Sequence, residues 1–196
     1  MLMSWSDTNQ FLIKEHINMF KASNSYDIFD LTSGKKILES HEEKLGFFTK
    51  IFRYTDYKRM TSFEIQIRDV EGNLIIEVSR GMNVMRANIK VYKAGGQLIG
   101  TFRQQLFSVG GQFSVLDKND KEICMLTGKW TGWEFKFASK TQEYAQVTKK
   151  WAGIGKELLT TADNYVFNID RAVDKSSDLK RLILAAVICI DMVFKE

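Results

Sequence analysis

Proline is missing from this 196-residue chain, where average usage predicts about ten. No Pro-rich linker and no polyproline-type ligand is therefore encoded. Cysteine is scarce as well: Cys124 and Cys189 lie far apart, with no Cys-x-x-Cys spacing. Cys189 falls inside an apolar run, where a free buried thiol is the expected state, and this usage points to a reducing, cytosolic compartment. Histidine is limited to His16 and His41, each on a polar or alternating position and away from any nucleophile motif. Gly-x-Ser-x-Gly, His-Glu-x-x-His and the P-loop are absent. Gly153-Ile154-Gly155-Lys156 has neither P-loop spacing nor a Ser or Thr after the lysine, and it reads as a turn between a strand and a helix. No catalytic residue is assigned, and the protein is not expected to be an enzyme. The start, MLMSWSDTNQFLIKEH, has no basic stretch followed by an apolar one, so no secretory signal is expected. Nucleic-acid binding finds no motif either.

What the chain does contain suits one globular domain. Its 44% apolar and 27% charged content separates it from disordered sequences, and a fold of this size buries roughly 70% of its unfolded surface. We expect residues 1–9 as an N-terminal extension and 10–196 as a single domain. The middle of the chain has a two-residue period. Phe63, Ile65 and Ile67 alternate with Glu64, Gln66 and Arg68; Ile89 and Val91 alternate with Lys90 and Tyr92; Trp133, Phe135 and Phe137 alternate with Glu134 and Lys136. Such alternation predicts strands with one buried and one wet face. Turn signals fall between them at Ser33-Gly34, Glu71-Gly72-Asn73, Gly95-Gly96, Gly110-Gly111 and Lys118-Asn119-Asp120. The spacing predicts an antiparallel meander, sandwich or barrel. Trp130, Trp133 and Trp151 read as packing within it.

The end of the chain differs. From Leu182 to Phe194 only Asp191 is not apolar, and the apolar residues cover every side of a helix expected over about 177–195. Ser177 is its candidate N-cap, Asp178 suits the first turn, and Lys195 suits the last. Thirteen helical residues span about 19 Å, against a hydrocarbon core of about 30 Å. Eight Leu, Ile, Val and Phe residues favour insertion by roughly 2.4–4.8 kcal/mol, and Asp191 returns up to about 3. Burying nine large apolar side chains in protein gains about 15–25 kcal/mol gross, before ordering entropy is set against it. A helix apolar all round must be enclosed, and the strands offer a closed barrel to enclose it. Leu182, Ile183, Leu184, Val187, Ile188, Ile190, Asp191 and Phe194 are the expected buried set, with Asp191 near a barrel mouth where it can reach water or a backbone donor.

The segments KKWAGIGKELLTTADNYVFNID and LKRLILAAVICIDMVFKE contain a Lys-x-Trp-x-Gly strand end, an Ala-Asp-Asn-aromatic segment and an apolar helix with Ile-Asp. In these the chain resembles the phospholipid scramblase family. FLIKEHINMFKASNSYDIFDLTSGKKIL resembles the family's opening strands, and QLIGTFRQQ with FSVLDKNDKEICMLTGKW resembles its middle, so the resemblance covers residues 10–196. It implies the architecture shared with LURP-one and tubby proteins, a mainly β fold in which a twelve-stranded closed antiparallel barrel surrounds a hydrophobic C-terminal helix. It also implies calcium-stimulated movement of phospholipids between leaflets. Family members carry a Pro-rich arm and a palmitoylated cysteine cluster; neither is expected here, because the cluster's place reads EVSRGMNVMRANI. The calcium segment corresponds to Thr161–Ala172: Thr161 replaces the family's first Asp, while Asp163, Asn164 and Asp170 match. Read as an EF-hand loop, the segment has only two side chains able to coordinate and Val166 in place of glycine. Calcium is thus the one candidate cofactor, and a simple turn at Asp163-Asn164 is the alternative.

A second candidate site is Lys44–Arg59, which carries a local net charge of +4 interleaved with aromatics. Its candidate membrane-binding residues are Lys44, Phe47, Phe48, Lys50, Phe52, Arg53, Tyr54, Lys58 and Arg59. Basic groups attract anionic lipid and aromatics settle at the headgroup boundary. The alternative is a loop whose aromatics cap one barrel end. Two functions stay open. One is non-enzymatic, membrane-associated lipid binding and transbilayer phospholipid movement, peripheral at the cytoplasmic face. The other is a soluble tubby-like barrel that binds an anionic headgroup or a protein partner without scrambling.

Overall fold

The computed structural model describes residues 4–15, 25–43, 62–81, 87–105, 112–129, 134–148 and 164–194. Within them run twelve strands: β1 (Gln10–Glu15), β2 (Ser25–Asp30), β3 (Lys36–Glu43), β4 (Phe63–Asp69), β5 (Leu74–Arg80) and β6 (Asn88–Lys93) lead into β7 (Gln97–Gln104), β8 (Phe113–Asp117), β9 (Glu122–Lys129), β10 (Glu134–Ala138), β11 (Glu143–Thr148) and β12 (Asn164–Ile169). One helix follows, α1 (Asp178–Phe194). Every strand pairs antiparallel with its sequence neighbours, and β1 pairs with β12 as well, so the sheet closes into a barrel. Closure removes the exposed edges that would otherwise template pairing with other chains.

The alternation expected of the strands is observed. Phe63, Ile65 and Ile67 on β4, Ile89 and Val91 on β6, and Phe135 and Phe137 on β10 are buried, while Glu64, Lys90 and Lys136 face solvent. Trp130, Trp133, Trp151 and the segment Gly153–Lys156 lie outside the described residues. Four of the expected turns reverse the chain where predicted, at Gly34, Gly72, Gly95-Gly96 and Asp120, each with positive φ. Gly110-Gly111 is outside the described residues. Three of these hairpins are tied by an aspartate at the end of the incoming strand. Asp30 Oδ1 accepts the Ser33 N–H, Asp69 Oδ1 accepts those of Glu71 and Asn73, and Asp117 Oδ1 accepts those of Asn119 and Lys121. The carboxylate stands in for a backbone partner inside the turn.

α1 runs inside the barrel. Leu182 to Cys189 are each at most 3% exposed, on every side of the helix, and the helix packs on β5, β6 and β7. Its close approach to β7 requires Gly100, where a Cβ would come within 2.9 Å of Leu182 and 2.2 Å of the Leu116 carbonyl. Ser177 caps the helix as expected, its Oγ accepting the Lys180 N–H at 3.1 Å. The side chains of Ile190, Asp191 and Phe194, and Lys195 altogether, lie outside the described residues. Cys124 and Cys189 are free, buried thiols. Burial, with the Glu122 charge adding to it, pushes the Cys124 thiol up to about 12, and burial likewise pushes the Cys189 thiol up.

The first residues depart from expectation. Residues 4–9 form no strand but are fastened to the barrel: Trp5 and Thr8 are buried, and Asn9 O accepts the Ile169 N–H of β12 at 2.8 Å. We call this segment, Ser4–Asn9, the strap. Strand alternation gives the barrel two unlike ends. At the strap end lie the hairpins after β2, β4, β6, β8 and β10 and the start of α1; at the other end lie the strand ends that lead into residues 16–24, 44–61, 82–86, 106–111, 130–133 and 149–163.

Candidate functional site at the barrel ends

At the strap end the first turn of α1 is fastened to the strap by buried polar contacts. Lys180 is fully buried, and its Nζ donates to Ser6 O and Thr8 O at 2.7 Å each and to Asn9 Oδ1 at 3.1 Å. Burial, reinforced by the nearby Lys175 charge, lowers its pKa to about 8, with Asp7 and Asp174 acting in the opposite direction. Arg181 stacks its guanidinium 5.3 Å from the Trp5 ring and donates to Ser176 O at 2.6 Å. Outside, Lys175 Nζ sits 3.4 Å from Asp7 Oδ1. Thr8 joins the strap to β2 by donating its hydroxyl to Asp30 Oδ2. Burial of Asp30 works to raise its pKa, but the hydrogen bonds from Thr8 and Ser33 outweigh it and hold the carboxyl below its usual range. A polar cleft of about 710 Å³ opens beside these groups, lined in part by Thr8, Gln10, Thr32, Asn168, Asp170 and Arg171. Gln10 and Asn168 face each other across the β1–β12 pair.

None of these strap-end residues was among those singled out from the sequence except Asp170. Lys180 lies just before the apolar run with no local sign of burial, and only its contacts reveal it as buried. A recurring Asp one turn before a glycine or Asn, as at Asp30 and Asp69, was the legible signal for the ordered hairpins.

Of the three candidate calcium ligands, Asn164 and Asp170 are among the described residues. Asn164 opens β12 and Asp170 follows its end, six extended residues or about 20 Å apart, so the two cannot hold one ion. Asp170 Oδ1 instead accepts the Ala172 N–H at 2.8 Å, closing a turn. Asp163 lies outside the described residues. Among the described residues, no group of three or more His, Cys, Asp or Glu side chains is placed to hold a metal ion.

The candidate docking residues Lys44, Phe47, Phe48, Lys50, Phe52, Arg53, Tyr54, Lys58 and Arg59 also lie outside the described residues. The strands that flank them are described: β3 ends at Glu43 and β4 begins at Phe63, paired side by side at the barrel end away from the strap. Among the described residues, no helix is long and apolar enough to cross a membrane.

The sequence profile of the family described as Scramblase matches residues 4–196. The chain belongs to the Scramblase family. Its match begins at the strap, in agreement with the place of residues 4–9 in the barrel. The human protein phospholipid scramblase family member 5 is 20% identical over 191 residues, covering 90% of this Scramblase-family chain and 68% of the human protein. A solved structure of a protein from Arabidopsis thaliana aligns with a TM-score of 0.57 and 13% identity, over 94% of this chain and 91% of that one. At that identity the likeness concerns the fold alone.

Proposed function

We propose that this Scramblase-family protein is a non-enzymatic, lipid-binding protein that docks peripherally on the cytoplasmic face of an anionic membrane. Docking uses the barrel end away from the strap, with Lys44–Arg59 as the principal contact. The observation that carries the reading is the enclosure of α1, whose residues Leu182–Cys189 are buried on all sides. A helix so placed contacts no lipid, so membrane engagement falls to the barrel's surface. The charge distribution supports the same end. The six connections there carry ten basic and three acidic side chains, a net of +7 against +4 for the whole chain, which leaves −3 for the remainder. Anionic lipid attracts such a surface within about a Debye length.

Transbilayer movement is a further step that one closed barrel does not offer a path for. In this reading the monomer binds headgroups, and lipid transfer requires α1 to leave the barrel or several copies to assemble. Two measurements test it. Vesicles containing anionic lipid should float the protein at low salt and release it at high salt, and neutral vesicles should not float it. Reconstituted protein should leave labelled lipid on its own leaflet unless α1 is freed. Equal binding to neutral vesicles would sink the docking proposal, and scrambling by a monomer whose helix is locked to β7 by a cross-link would sink the requirement for release.

A further inference from the structure

We propose that the polar cleft beside the strap is a binding site for a neutral, polyhydroxylated group, either a sugar free in solution or the sugar headgroup of a lipid. Its volume of about 710 Å³ lies within the usual range for small-molecule pockets, about 300–1,000 Å³. Among the described residues that line it, Ile169 is the one apolar residue, so an apolar ligand is poorly matched. The charges nearly cancel, with Asp7, Asp30 and Asp170 set against Arg171 and Lys175. Lys175 is engaged by Asp7, and both oxygens of Asp30 are taken, Oδ1 by the Ser33 N–H and Oδ2 by the Thr8 hydroxyl. The lining therefore does not select an anion. Among the described residues no group of side chains is placed to hold a metal ion either.

What stays open is a set of uncharged donors and acceptors. Phe11 and Phe167 point into the core, so their neighbours Gln10 and Asn168 stand on the outer face of the wall, opposite one another across β1 and β12. Gln146 of β11 faces Asn168 from the other side, which sets three carboxamides abreast on three adjacent strands. All three are half-buried, and among the described residues their side chains make no hydrogen bond. Lys180 Nζ holds Asn9 Oδ1, which leaves the amide N–H bonds of Asn9 to donate. Asp170 keeps Oδ2 after Oδ1 has accepted the Ala172 N–H. A carboxamide presents a donor and an acceptor side by side, as adjacent hydroxyls of a sugar do, so a row of them matches a polyol better than a single charge. The Asp170 oxygen and the Arg171 guanidinium at the rim add charge-assisted bonds to hydroxyls. This cleft is at the barrel end opposite the proposed docking surface, and the inference does not depend on docking there.

The side-chain amide signals of Gln10, Asn168 and Gln146 in nitrogen-15 NMR of the intact protein read occupancy directly. The probes are the methyl glycosides of glucose, galactose, mannose and N-acetylglucosamine, with glycerol and inorganic phosphate as controls. At least one glycoside should move the Gln10 and Asn168 signals saturably, and the controls should not. Asn168→Ala removes the central carboxamide and should weaken that binding about tenfold. Arg171→Met changes an exposed turn residue and should weaken it as well, so the test survives if Asn168→Ala fails to fold. Lys140→Gln, on the β10–β11 hairpin, should leave the affinity unchanged. Phosphatidylcholine vesicles with and without a diacylglycerol bearing the bound sugar separate the two sources. Recruitment by the glycolipid that Arg171→Met weakens identifies a headgroup, and no recruitment identifies a free saccharide. Amide signals unmoved by every glycoside, equal shifts with glycerol or phosphate, or binding that both Asn168→Ala and Arg171→Met leave intact would each overturn the proposal.

Discussion

At the scale of single residues, the barrel depends on a few positions where one atom more or less is felt. Gly100 is the clearest. A methyl group there meets a backbone carbonyl at 2.2 Å and both Leu182 methyls at 2.9 Å, and the carbonyl belongs to a paired strand that cannot swing aside. Gly100→Ala should destabilise the protein by about 1–3 kcal/mol, as overpacking does elsewhere, and a denaturant midpoint reads it directly. Asp30 acts through charge rather than volume. Its carboxyl is held below the usual range by Thr8 and Ser33, so the folded state favours the ionised form. The stability it contributes is present above about pH 4 and lost as the pH falls through its lowered pKa. Asp30→Asn should cost about 1.5–3 kcal/mol at pH 7, and the difference from the parent should shrink as the pH falls through the lowered pKa of Asp30. A constant difference across that range, seen in urea titrations, would show that the charge is not what matters.

At the scale of elements, what could be read from the sequence and what could not divide along a physical line. Strands with period two and turns with glycine were legible because each is a local rule: Phe135 and Phe137 point inward for the same reason that Lys136 points outward. The enclosure of α1 was legible because length and polarity are local too, and the N-cap at Ser177 marks its start. Lys180 was not legible. Its burial depends on a strap more than 170 residues away, and no pattern within the helix announces that partner. The place of residues 4–9 was missed for the same reason. Asn164 and Asp170 are close in sequence but are held apart by the extended chain of β12, a separation that depends on reading the segment as strand rather than loop. Two substitutions probe the helix as an element. Ser177→Ala removes the cap from the Lys180 N–H and should cost about 1 kcal/mol. Ala185→Asp places a carboxylate on a fully buried helical position, where a membrane-surface helix would tolerate it on one face and an enclosed helix on none. Loss of the cooperative thermal transition is the expected outcome for Ala185→Asp; an intact transition would mean that α1 is not enclosed.

At the scale of the whole molecule, closure of the barrel and its even strand number sort the connections into two sets with different chemistry. The strap end is built from short hairpins, three of them tied by an aspartate, and it carries the cleft and the buried lysine. The strand ends at the other end lead into segments rich in lysine, arginine and aromatic residues, so on the proposed function binding to a charged surface should depend on which set is altered and not on net charge alone. Two variants of equal charge change separate these ideas. Replacing Lys50, Arg53, Lys58 and Arg59 by Gln removes four positive charges from one end; replacing Lys35, Lys118, Lys121 and Lys140 by Gln removes four from the strap end. At about 1 kcal/mol for each basic residue near an anionic surface, the first set should weaken vesicle binding about a thousandfold at low salt, and the second should change it by less than tenfold. Both variants keep the strand residues, so circular dichroism should find the same fold in each. Flotation across a salt series then decides: the parent's binding should fall steeply with salt, the first variant's should be weak and nearly flat, and the second should follow the parent. Equal loss in both variants would mean that total charge, rather than the end of the barrel that displays it, governs binding.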